Sequence, residues 1–454
     1  MEFTMEHTQA IKLLRELIQH ETWDELPEQF DQLHIQDVAE ALDQCEAQQV
    51  TKAFALLPED RWAGVFAHLS PTTQYPLLEE LDDEQGRFIL SNLLPDDRTA
   101  LLEALSDEPL EKMLRLLPAP QVKEALRQLG YPEESAGRLM TTDLVLLKPT
   151  WTVQQALQHV RTHTESEETI NTLYVVDAAN RLIGTVGLKR LVLSEPEEKV
   201  GALISGSLVT VHAGDDREEA ARLIQRYDIT ALPVIDKTGV LLGVVTVDDV
   251  MDVIEEEHTE DFHKMGGSGV VNLSLKDARP SLLYRKRVGW LVLLVFMNIF
   301  GGAGIAYFEE TIEAVIALVF FLPLIVDSGG NAGSQSATLM VRALATGDVH
   351  ARDWLKLWGK ELGVALGLGI TMGIAVYGLG LWRGGSEVAM VVSLAMVLVV
   401  IMGSMIGMLL PFLLTRFKMD PATASAPLIT SIADIAGILI YFSIATALLT
   451  IPAA

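Results

Sequence analysis

Five long apolar stretches occupy the carboxyl-terminal part of the chain. A helix needs about 20 apolar residues to cross about 30 Å of hydrocarbon. Stretches of this length occupy residues 288–308, 313–340, 361–382, 388–415 and 422–450. Basic residues flank alternate ends of them, as at Arg285 to Arg287 and at Arg416 and Lys418. Since cytoplasmic loops carry an excess of Lys and Arg, this pattern predicts five spans, with the amino terminus cytoplasmic and the carboxyl terminus outside.

The amino-terminal part shows the short apolar periodicity of small helices. From residue 5 to about residue 130, leucines recur at helical spacing, and the pattern stops at pairs such as Ser70–Pro71 and Leu94–Pro95. Similar breaks at short helix lengths are typical of stacked helical hairpins. This part is predicted to be a small helical superhelix whose role is packing or docking.

Strands and helices alternate after Gly137, in two similar copies. The hairpin pattern "YVVDAANRLIGTV" returns as "LPVIDKTGVLLGVV", and each copy predicts an entry strand, a helix, this hairpin and a closing helix. The pair resembles tandem cystathionine-β-synthase (CBS) domains, which are α/β regulatory modules that often bind adenosyl ligands. Thr246 and Asp248 in "GVVTVDD" are candidates to hold an adenine nucleotide. Gly187 and Lys189 replace them in the first copy, so nucleotide binding is left open.

The charge of the chain lies entirely in its first part. The sequence has 34 Lys and Arg and 61 Asp and Glu, and residues 285–454 contain 10 of each kind, so the net charge of −27 belongs to residues 1–284. Such an acidic portion argues against nucleic acid as a partner and favours cations, of which metal ions are the simplest. The single cysteine, Cys45, excludes an internal disulfide and a thiolate metal cluster.

An acidic run precedes the first apolar stretch. It contains Asp248, Asp249, Asp252, Glu255, Glu256, Glu257, Glu260 and Asp261. Several of these residues share one helical face, where like charges destabilise a helix unless a cation neutralises them. Mg²⁺ and Ca²⁺ prefer such oxygen ligands. The run is therefore predicted either to bind divalent cations or to be a solvated acidic helix.

Two aspartates, Asp327 and Asp434, fall inside the apolar stretches. A carboxylate within a membrane costs at least about 2.5 kcal/mol, which makes it a candidate functional group. Asn331 and Thr430 add neutral oxygen atoms nearby, and the glycines at 329, 330 and 333 are expected to loosen the helix and expose carbonyl oxygens. An all-oxygen donor set favours a hard cation such as Mg²⁺. The alternative is that the two aspartates are interfacial or internally paired.

The order of these parts, with the motifs "PLIVDSGGNAGSQSATLMVRAL" and "DPATASAPLITSIADIAG", resembles the MgtE family of magnesium transporters. The resemblance covers essentially the whole chain. It implies a multi-domain protein of the cell (inner) membrane with a helical N domain (1–132), tandem CBS domains (133–256), an acidic linker and plug helix (257–284) and a five-helix transmembrane domain (285–454). It also implies a homodimeric Mg²⁺ channel, in contact with membrane lipid, whose pore lies between the second and fifth spans.

The resemblance also implies roles for individual residues. Asp434 falls on the pore aspartate of the family, with Asn331, the Thr430 carbonyl and Asp327 in the same region. Mg²⁺ on the cytosolic domains closes the family's channel, and the helix at about 263–284 acts as a plug. The implied sensing residues are Asp96, Glu218, Asp228, Asp249, Asp252, Glu257, Glu260 and Asp261.

The resemblance is incomplete in the helical N domain. Gly64 and Ala100 stand where the family supplies carboxylates, and Arg138 stands where a small residue is common. These differences imply docking of the N domain with fewer ions, and they suggest Arg138 as a built-in cation facing Asp96 or Asp97.

Two other classes of function stay open. A proton-coupled secondary transporter could use Asp327 and Asp434 as a proton relay, and a membrane receptor could use the CBS pair as its sensor without transport. An enzyme is not expected, because the sequence contains no nucleophile–base pair, no phosphate-binding glycine loop and no closed zinc motif.

Overall fold

A computed structural model describes residues 2–163, 170–204, 208–271 and 278–449. The chain divides into two compact units between Ile254 and Glu255, here called unit 1 and unit 2. The division falls inside one helix of the acidic run. Part of the expected plug region, residues 272–277, lies outside the described residues.

Unit 1 begins with an array of short helices. Their bounds are α1 Glu2–Gln19, α2 Leu26–Gln32, α3 Ile35–Asp43, α4 Ala47–Phe54, α5 Glu59–Ala67, α6 Pro71–Glu80, α7 Asp83–Asn92, α8 Pro95–Glu103, α9 Asp107–Leu116 and α10 Ala119–Leu129. The expected breaks are helix starts: Pro71 and Pro95 each occupy the first position of a helix, where the missing amide hydrogen costs nothing. One continuous core of Leu, Val, Ala and Phe side chains fills the array. The predicted helical N domain is confirmed.

Two three-stranded sheets follow the array. The elements are α11 Ala136–Leu139, β1 Leu146–Leu147, α12 Val153–His163, β2 Thr172–Val176, β3 Leu182–Gly187, α13 Leu188–Leu193, β4 Val211–His212, α14 Arg217–Tyr227, β5 Ala231–Ile235, β6 Leu241–Thr246 and α15 Val247–Met265. In both sheets the short first strand is parallel to the second, and the second and third form an antiparallel hairpin. The two copies therefore share one topology, as the internal repeat predicts.

Unit 2 contains the apolar helices. After the end of α15, its helices are α16 Pro280–Tyr307, α17 Glu309–Ala314, α18 Ala317–Ala345, α19 Trp354–Arg416 and α20 Ala426–Leu448. Short 3₁₀ turns occur at Trp23–Glu25, Val200–Ala202, Ala351–Asp353 and Pro421–Thr423. Four helices among the described residues, α16, α18, α19 and α20, are long and apolar enough to cross a membrane.

The helix α19 accounts for two spans. It has 63 residues, which would measure about 95 Å at about 1.5 Å per residue, far more than the hydrocarbon thickness. Gly385 interrupts it with φ 81° and ψ −176°, a conformation that essentially only glycine adopts. The two halves then pack antiparallel: a Cβ built on Gly380 would lie 2.5 Å from the Ala389 Cα, and one on Gly373 would lie 3.1 Å from the Ser393 carbonyl oxygen. With α19 divided at Gly385, the four long helices provide five apolar helical segments, the number expected from the sequence.

The glycines of α18 do not loosen it as expected. The helix is continuous from Ala317 to Ala345, through Gly329, Gly330 and Gly333. A Cβ on Gly403 would lie 2.1 Å from the Gly329 carbonyl oxygen, and one on Gly407 would lie 2.0 Å from the Gly333 carbonyl oxygen. Small residues four apart on both helices allow this close backbone approach, which packs membrane helices together.

The expected plug helix at about 263–284 is not one helix in the described residues. The helix α15 ends at Met265, residues 266–271 are not helical, and α16 starts at Pro280. Gly267 ends α15 with φ 71°, and the Ser268 amide donates to the His263 carbonyl oxygen. Glycine in this left-handed conformation is a frequent helix terminator.

Candidate ion sites

A polar face crosses the apolar helix α18. Asp327 and Asn331, four residues apart, are both exposed in the single chain, and the Asn331 Nδ2 donates to the Asp327 Oδ2 at 2.9 Å. Ser334 continues this face one turn later, and its Oγ lies 3.4 Å from the Thr430 Oγ1 of α20. The sequence analysis missed Ser334, although its spacing of three residues from Asn331 places it on the same helical side.

Asp434 brings a second carboxylate to this region from α20. Its side chain is half-buried, and its Oδ1 is fully buried without a hydrogen-bond partner in the described parts of the chain. Asp327 is close enough to Asp434 for their charges to repel. Gly330 permits the approach of the two helices, because a Cβ there would lie 2.9 Å from the Thr430 Cγ2.

The structure therefore brings the four candidate pore residues together between α18 and α20. The groups that could bind an ion are two carboxylates, one amide and one hydroxyl, and each has an oxygen atom that can act as a metal ligand. Mg²⁺ is held in proteins by one or two carboxylates and keeps several waters, and this set suits such an ion. Within the described ranges, no group of three or more His, Cys, Asp or Glu side chains is arranged to hold a metal ion.

Unit 1 contains an acidic cavity that only the fold assembles. Its volume is about 300 Å³. The aspartates that line it are Asp96 and Asp97 of α8 and Asp248, Asp249 and Asp252 of α15. These positions are more than 150 residues apart in the sequence. His68 lines the cavity as well. The sequence analysis assigned a ligand role to neither Asp97 nor His68.

Burial governs the charge in this acidic cavity. Asp96 is only 8% exposed, and its carboxyl lies within hydrogen-bonding distance of that of Asp249. Burial raises the pKa of Asp249, a hydrogen bond from Thr246 lowers it, and the charges of Asp248 and Asp97 raise it. Burial also raises the pKa of Asp97. Crowded, partly desolvated carboxylates gain most from a neutralising cation or proton.

The family differences in the N domain lie around this cavity. Gly64 lines it, and Ala100 lines a smaller neighbouring cavity of about 130 Å³ beside Asp97. Arg138 does not face Asp96 or Asp97, as had been expected. Its guanidinium pairs with Glu103 at 2.7 Å and donates to the Tyr131 carbonyl oxygen at 2.9 Å.

The built-in cation near Asp96 is Arg98 instead. It is 2% exposed, pairs with Glu124 at 2.9 Å and interacts electrostatically with Asp96. Glu124 also accepts a hydrogen bond from the Thr142 hydroxyl, so this network ties α10 to the segment that enters the first sheet. Arg98 directly follows Asp96 and Asp97 in the sequence. This proximity could have indicated a neighbouring cation, but the sequence analysis did not consider it.

The nucleotide candidates Thr246 and Asp248 lie beside the same cavity. The Thr246 side chain is buried, and its hydroxyl hydrogen-bonds with the carboxylates of Asp248 and, at 2.7 Å, Asp249. Asp248 lines the acidic cavity. In this conformation the hydroxyl is engaged by carboxylates of the chain itself.

Glu218 and Asp228 are not brought together. Both are exposed and lie at opposite ends of α14, about 15 Å apart at about 1.5 Å per residue. Asp228 ends the helix in the left-handed conformation with φ 51°. One chain does not form a common site from these two carboxylates.

The remaining acidic candidates lie in unit 2. Glu257, Glu260 and Asp261 are in the last turns of α15, and Lys264 contacts both Glu260 and Asp420, the latter at 2.6 Å. Burial raises the pKa of Asp261 to about 6, with a further rise from Asp420 and a lowering by Lys264. Asp420 was missed as a candidate, although it opens the motif "DPATASAP".

Comparison with known families bears directly on these sites. Residues 33–134 match the MgtE intracellular N domain, residues 136–195 and 200–256 match the CBS domain, and residues 322–444 match the MgtE divalent cation transporter model. The chain is 39% identical over 448 residues to the magnesium transporter MgtE of Thermus thermophilus, an alignment that covers 98% of this chain and 99% of that relative. The chain belongs to the MgtE family. The magnesium transporter MgtE of Bacillus subtilis is 32% identical over 448 residues, with 95% and 99% covered.

A solved structure extends the comparison of the MgtE family to unit 1. The cytosolic domain of the Mg²⁺ channel MgtE in complex with ATP is 35% identical, with a TM-score of 0.50, and covers 53% of this chain and 98% of that chain. As a member of the MgtE family of magnesium transporters, the chain is a multi-pass membrane protein with a helical N domain and tandem CBS domains. The relatives that match almost the whole chain, from Thermus thermophilus and Bacillus subtilis, are named as magnesium transporters.

Proposed function

We propose that the chain forms a homodimeric Mg²⁺ channel whose pore is lined by the polar face of α18 and by α20. The observation that carries this proposal is the exposed pair Asp327 and Asn331 on an apolar helix, beside the Asp434 Oδ1, which has no hydrogen-bond partner among the described residues. Polar groups facing lipid are costly, so this face needs either a protein partner or water.

A second copy of the chain supplies what a single copy lacks. Two-fold symmetry places the same surface patch on both subunits, which doubles the carboxylates around one axis. Four carboxylates with amide and hydroxyl oxygens form a site for a hydrated divalent cation. In this arrangement Asp434 is the principal ion-binding residue, and Asn331, Thr430 and Asp327 line the same passage.

Feedback by Mg²⁺ is the second part of the proposal. Mg²⁺ would bind the acidic cavity of unit 1 through Asp96, Asp249 and Asp252, and the cluster of unit 2 through Glu257, Glu260 and Asp261. Glu218 and Asp228 would bind ions jointly with carboxylates of a second copy. An ion shifts a conformational equilibrium only if it prefers one state, so ligands that come together in the closed channel are required.

The limits and the orientation of the domains belong to the same proposal. The N domain would occupy residues 1–132, the CBS pair 133–256, the linker and plug 257–284 and the transmembrane domain 285–454. The amino terminus would be cytoplasmic and the carboxyl terminus outside the inner membrane, following the excess of basic residues at one side. ATP binding, as in the related cytosolic domain, would use Thr246 and Asp248 after their mutual hydrogen bond opens.

The alternative is proton-coupled transport through Asp327 and Asp434. The two functions differ in what drives Mg²⁺ across the membrane. The test is Mg²⁺ uptake into vesicles containing the purified chain, measured with a Mg²⁺ gradient alone, with a pH gradient alone and with both gradients together. A channel gives uptake that follows the Mg²⁺ gradient and the voltage. Uptake that collapses when only the pH gradient is removed would establish proton coupling, and no uptake under any gradient would favour a receptor.

A further inference from the structure

An apolar groove runs along the second half of α19. Its volume is about 930 Å³. Its apolar lining includes Met402, Met405, Ile406, Leu409 and Leu413 of α19 and Ile432 of α20. Those from α19 are spaced three or four residues apart, so they form one continuous helical stripe. The groove therefore has the length and the polarity of a hydrocarbon chain.

Two arginines stand at one end of this groove. Arg352 precedes α19, and Arg416 is its last residue, and both line the groove. Because α19 doubles back at Gly385, its two ends lie at the same side of the membrane. Neither guanidinium has an ion pair with a carboxylate among the residues that the structure describes. Trp354, 46% exposed, lies beside them, and tryptophan is enriched where hydrocarbon meets water.

We propose that this groove binds an anionic phospholipid of the surrounding bilayer. One acyl chain would lie along the apolar stripe, and the phosphate would accept hydrogen bonds from Arg352 and Arg416. A guanidinium matches the oxygens of a phosphate better than an ammonium does, and basic pockets between membrane helices are typical sites for anionic headgroups. A zwitterionic lipid carries a cationic group next to its phosphate, and the two arginines repel that cationic group.

Charge also argues against a second copy of the chain in the groove. A two-fold interface centred on the groove would place the same patch opposite itself. Arg352 and Arg416 of one copy would then face the same arginines of the other, and like charges across an interface are unfavourable. An anionic lipid removes this positive charge instead of doubling it.

The test uses quenching of Trp354 fluorescence by brominated lipids. The full chain is reconstituted in phosphatidylcholine vesicles containing brominated phosphatidylglycerol or, for comparison, brominated phosphatidylcholine. The contribution of Trp354 is the difference between the parent chain and Trp354→Phe. We expect phosphatidylglycerol to be preferred about thirtyfold, which is about 2 kcal/mol at about 1.4 kcal/mol per factor of ten, for two basic side chains at a membrane surface.

The double variant Arg352→Gln and Arg416→Gln should lose most of this preference. The matched control is Lys356→Gln with Lys360→Gln, which removes the same charge from exposed side chains that do not line the groove. The control should keep the preference, since it changes only the general surface charge.

Two results would overturn the proposal. Equal quenching by both lipids would mean that the groove takes bulk lipid without recognition. If neither lipid quenches Trp354, the groove does not bind lipid. A disulfide between two chains that carry Ile406→Cys in a Cys45→Ala background would then show that a second copy covers the groove. Neither result depends on whether the chain conducts Mg²⁺, so the inference stands apart from the proposed channel.

Discussion

A buried carboxylate oxygen inside a membrane needs a cation, a proton or a hydrogen-bond donor. Asp434 Oδ1 has no donor among the described residues, whereas Asp327 receives a hydrogen bond from Asn331. The two intramembrane aspartates therefore differ in how much of their charge is left for an ion. This difference gives an order of effects for their substitution.

Asp434→Asn should reduce Mg²⁺ flux at least tenfold while the chain still folds, because loss of a close charge–ion interaction exceeds about 1.4 kcal/mol. Asp327→Asn should reduce flux less, since its site keeps the Asn331 amide. Mg²⁺ uptake into vesicles, at equal amounts of reconstituted protein, measures both.

The matched control for these substitutions is Asp348→Asn, an exposed carboxylate in the loop after α18. It should leave flux unchanged. Normal flux in a folded Asp434→Asn protein would remove Asp434 from the ion path.

The cluster at the end of α15 should respond to pH. Asp261 lies near the charged groups of Asp420, Lys264, Glu257 and Glu260. Its pKa is raised to about 6 from 3.8, mainly by burial. The charged form of Asp261 is therefore disfavoured in the folded chain. The stability contributed by this group is therefore fully present below the ordinary pKa of 3.8 and is lost as the pH rises through about 6. The thermal midpoint of the full chain should follow this trend, and Asp261→Asn should flatten it.

The control is Asp236, whose pKa is shifted in the opposite direction. Hydrogen bonds from the Thr238 side chain and the Val240 amide lower it. Its contribution is present above the ordinary carboxyl range and is lost on acidification. If Asp261→Asn and Asp236→Asn change the pH profile in the same direction, the explanation for Asp261 is wrong.

Helix packing in unit 2 depends on glycines that the sequence analysis had interpreted differently. The stripe at 329, 330 and 333 was expected to disturb α18, but these residues allow the backbones of α18, α19 and α20 to approach closely. The spacing of four residues between Gly329 and Gly333, and between Gly403 and Gly407, was the available signal. It indicated a packing surface rather than a kink.

Gly403→Ala should therefore destabilise unit 2. Its Cβ would lie 2.1 Å from the Gly329 carbonyl oxygen, and backbone atoms must move apart to accommodate it. Overpacking of this kind costs about 1–3 kcal/mol. Thermal unfolding in detergent, followed by the near-ultraviolet signal, measures the loss.

Gly378→Ala is the control on the same helix. A Cβ there meets nothing within 4 Å, and Ala favours a helix over Gly by about 1 kcal/mol. It should be neutral or slightly stabilising. Equal destabilisation by both substitutions would show that the close approach at Gly403 is not what holds the helices.

At the scale of the whole molecule, the question is whether the acidic clusters of the two units sense Mg²⁺. If the chain is the proposed Mg²⁺ channel, the triple variant Asp249→Ala, Asp252→Ala and Glu257→Ala should leave it open at high internal Mg²⁺, because the variant removes directional ligands from both clusters. Removal of repulsion alone would have the opposite effect and favour closure. Open probability in excised patches, as internal Mg²⁺ is titrated, distinguishes the two.

The charge-matched control is Glu79→Ala, Glu80→Ala and Glu84→Ala, which removes exposed carboxylates from α6 and α7. It should keep the parent inhibition curve. An inhibition curve that is the same in the two triple variants would assign the acidic clusters to assembly rather than to feedback.

The sequence by itself determined the order of the domains, the apolar helices and the carboxylates that lie within those helices. Long apolar runs, proline-terminated helices and an internal repeat are local patterns, and their physical causes act within about 20 neighbouring residues. Asp327 and Asp434 were recognisable for the same reason, since a carboxylate in an apolar run is conspicuous without knowledge of its neighbours.

Only the tertiary structure decided which distant groups meet. It placed Asp96 and Asp97 beside Asp249 and paired Arg138 with Glu103 instead. Such contacts depend on how helices far apart in the chain pack, and packing reflects the shapes of many side chains at once. Hydrophobic periodicity records which side of a helix is buried, but it contains no information on what lies against that side.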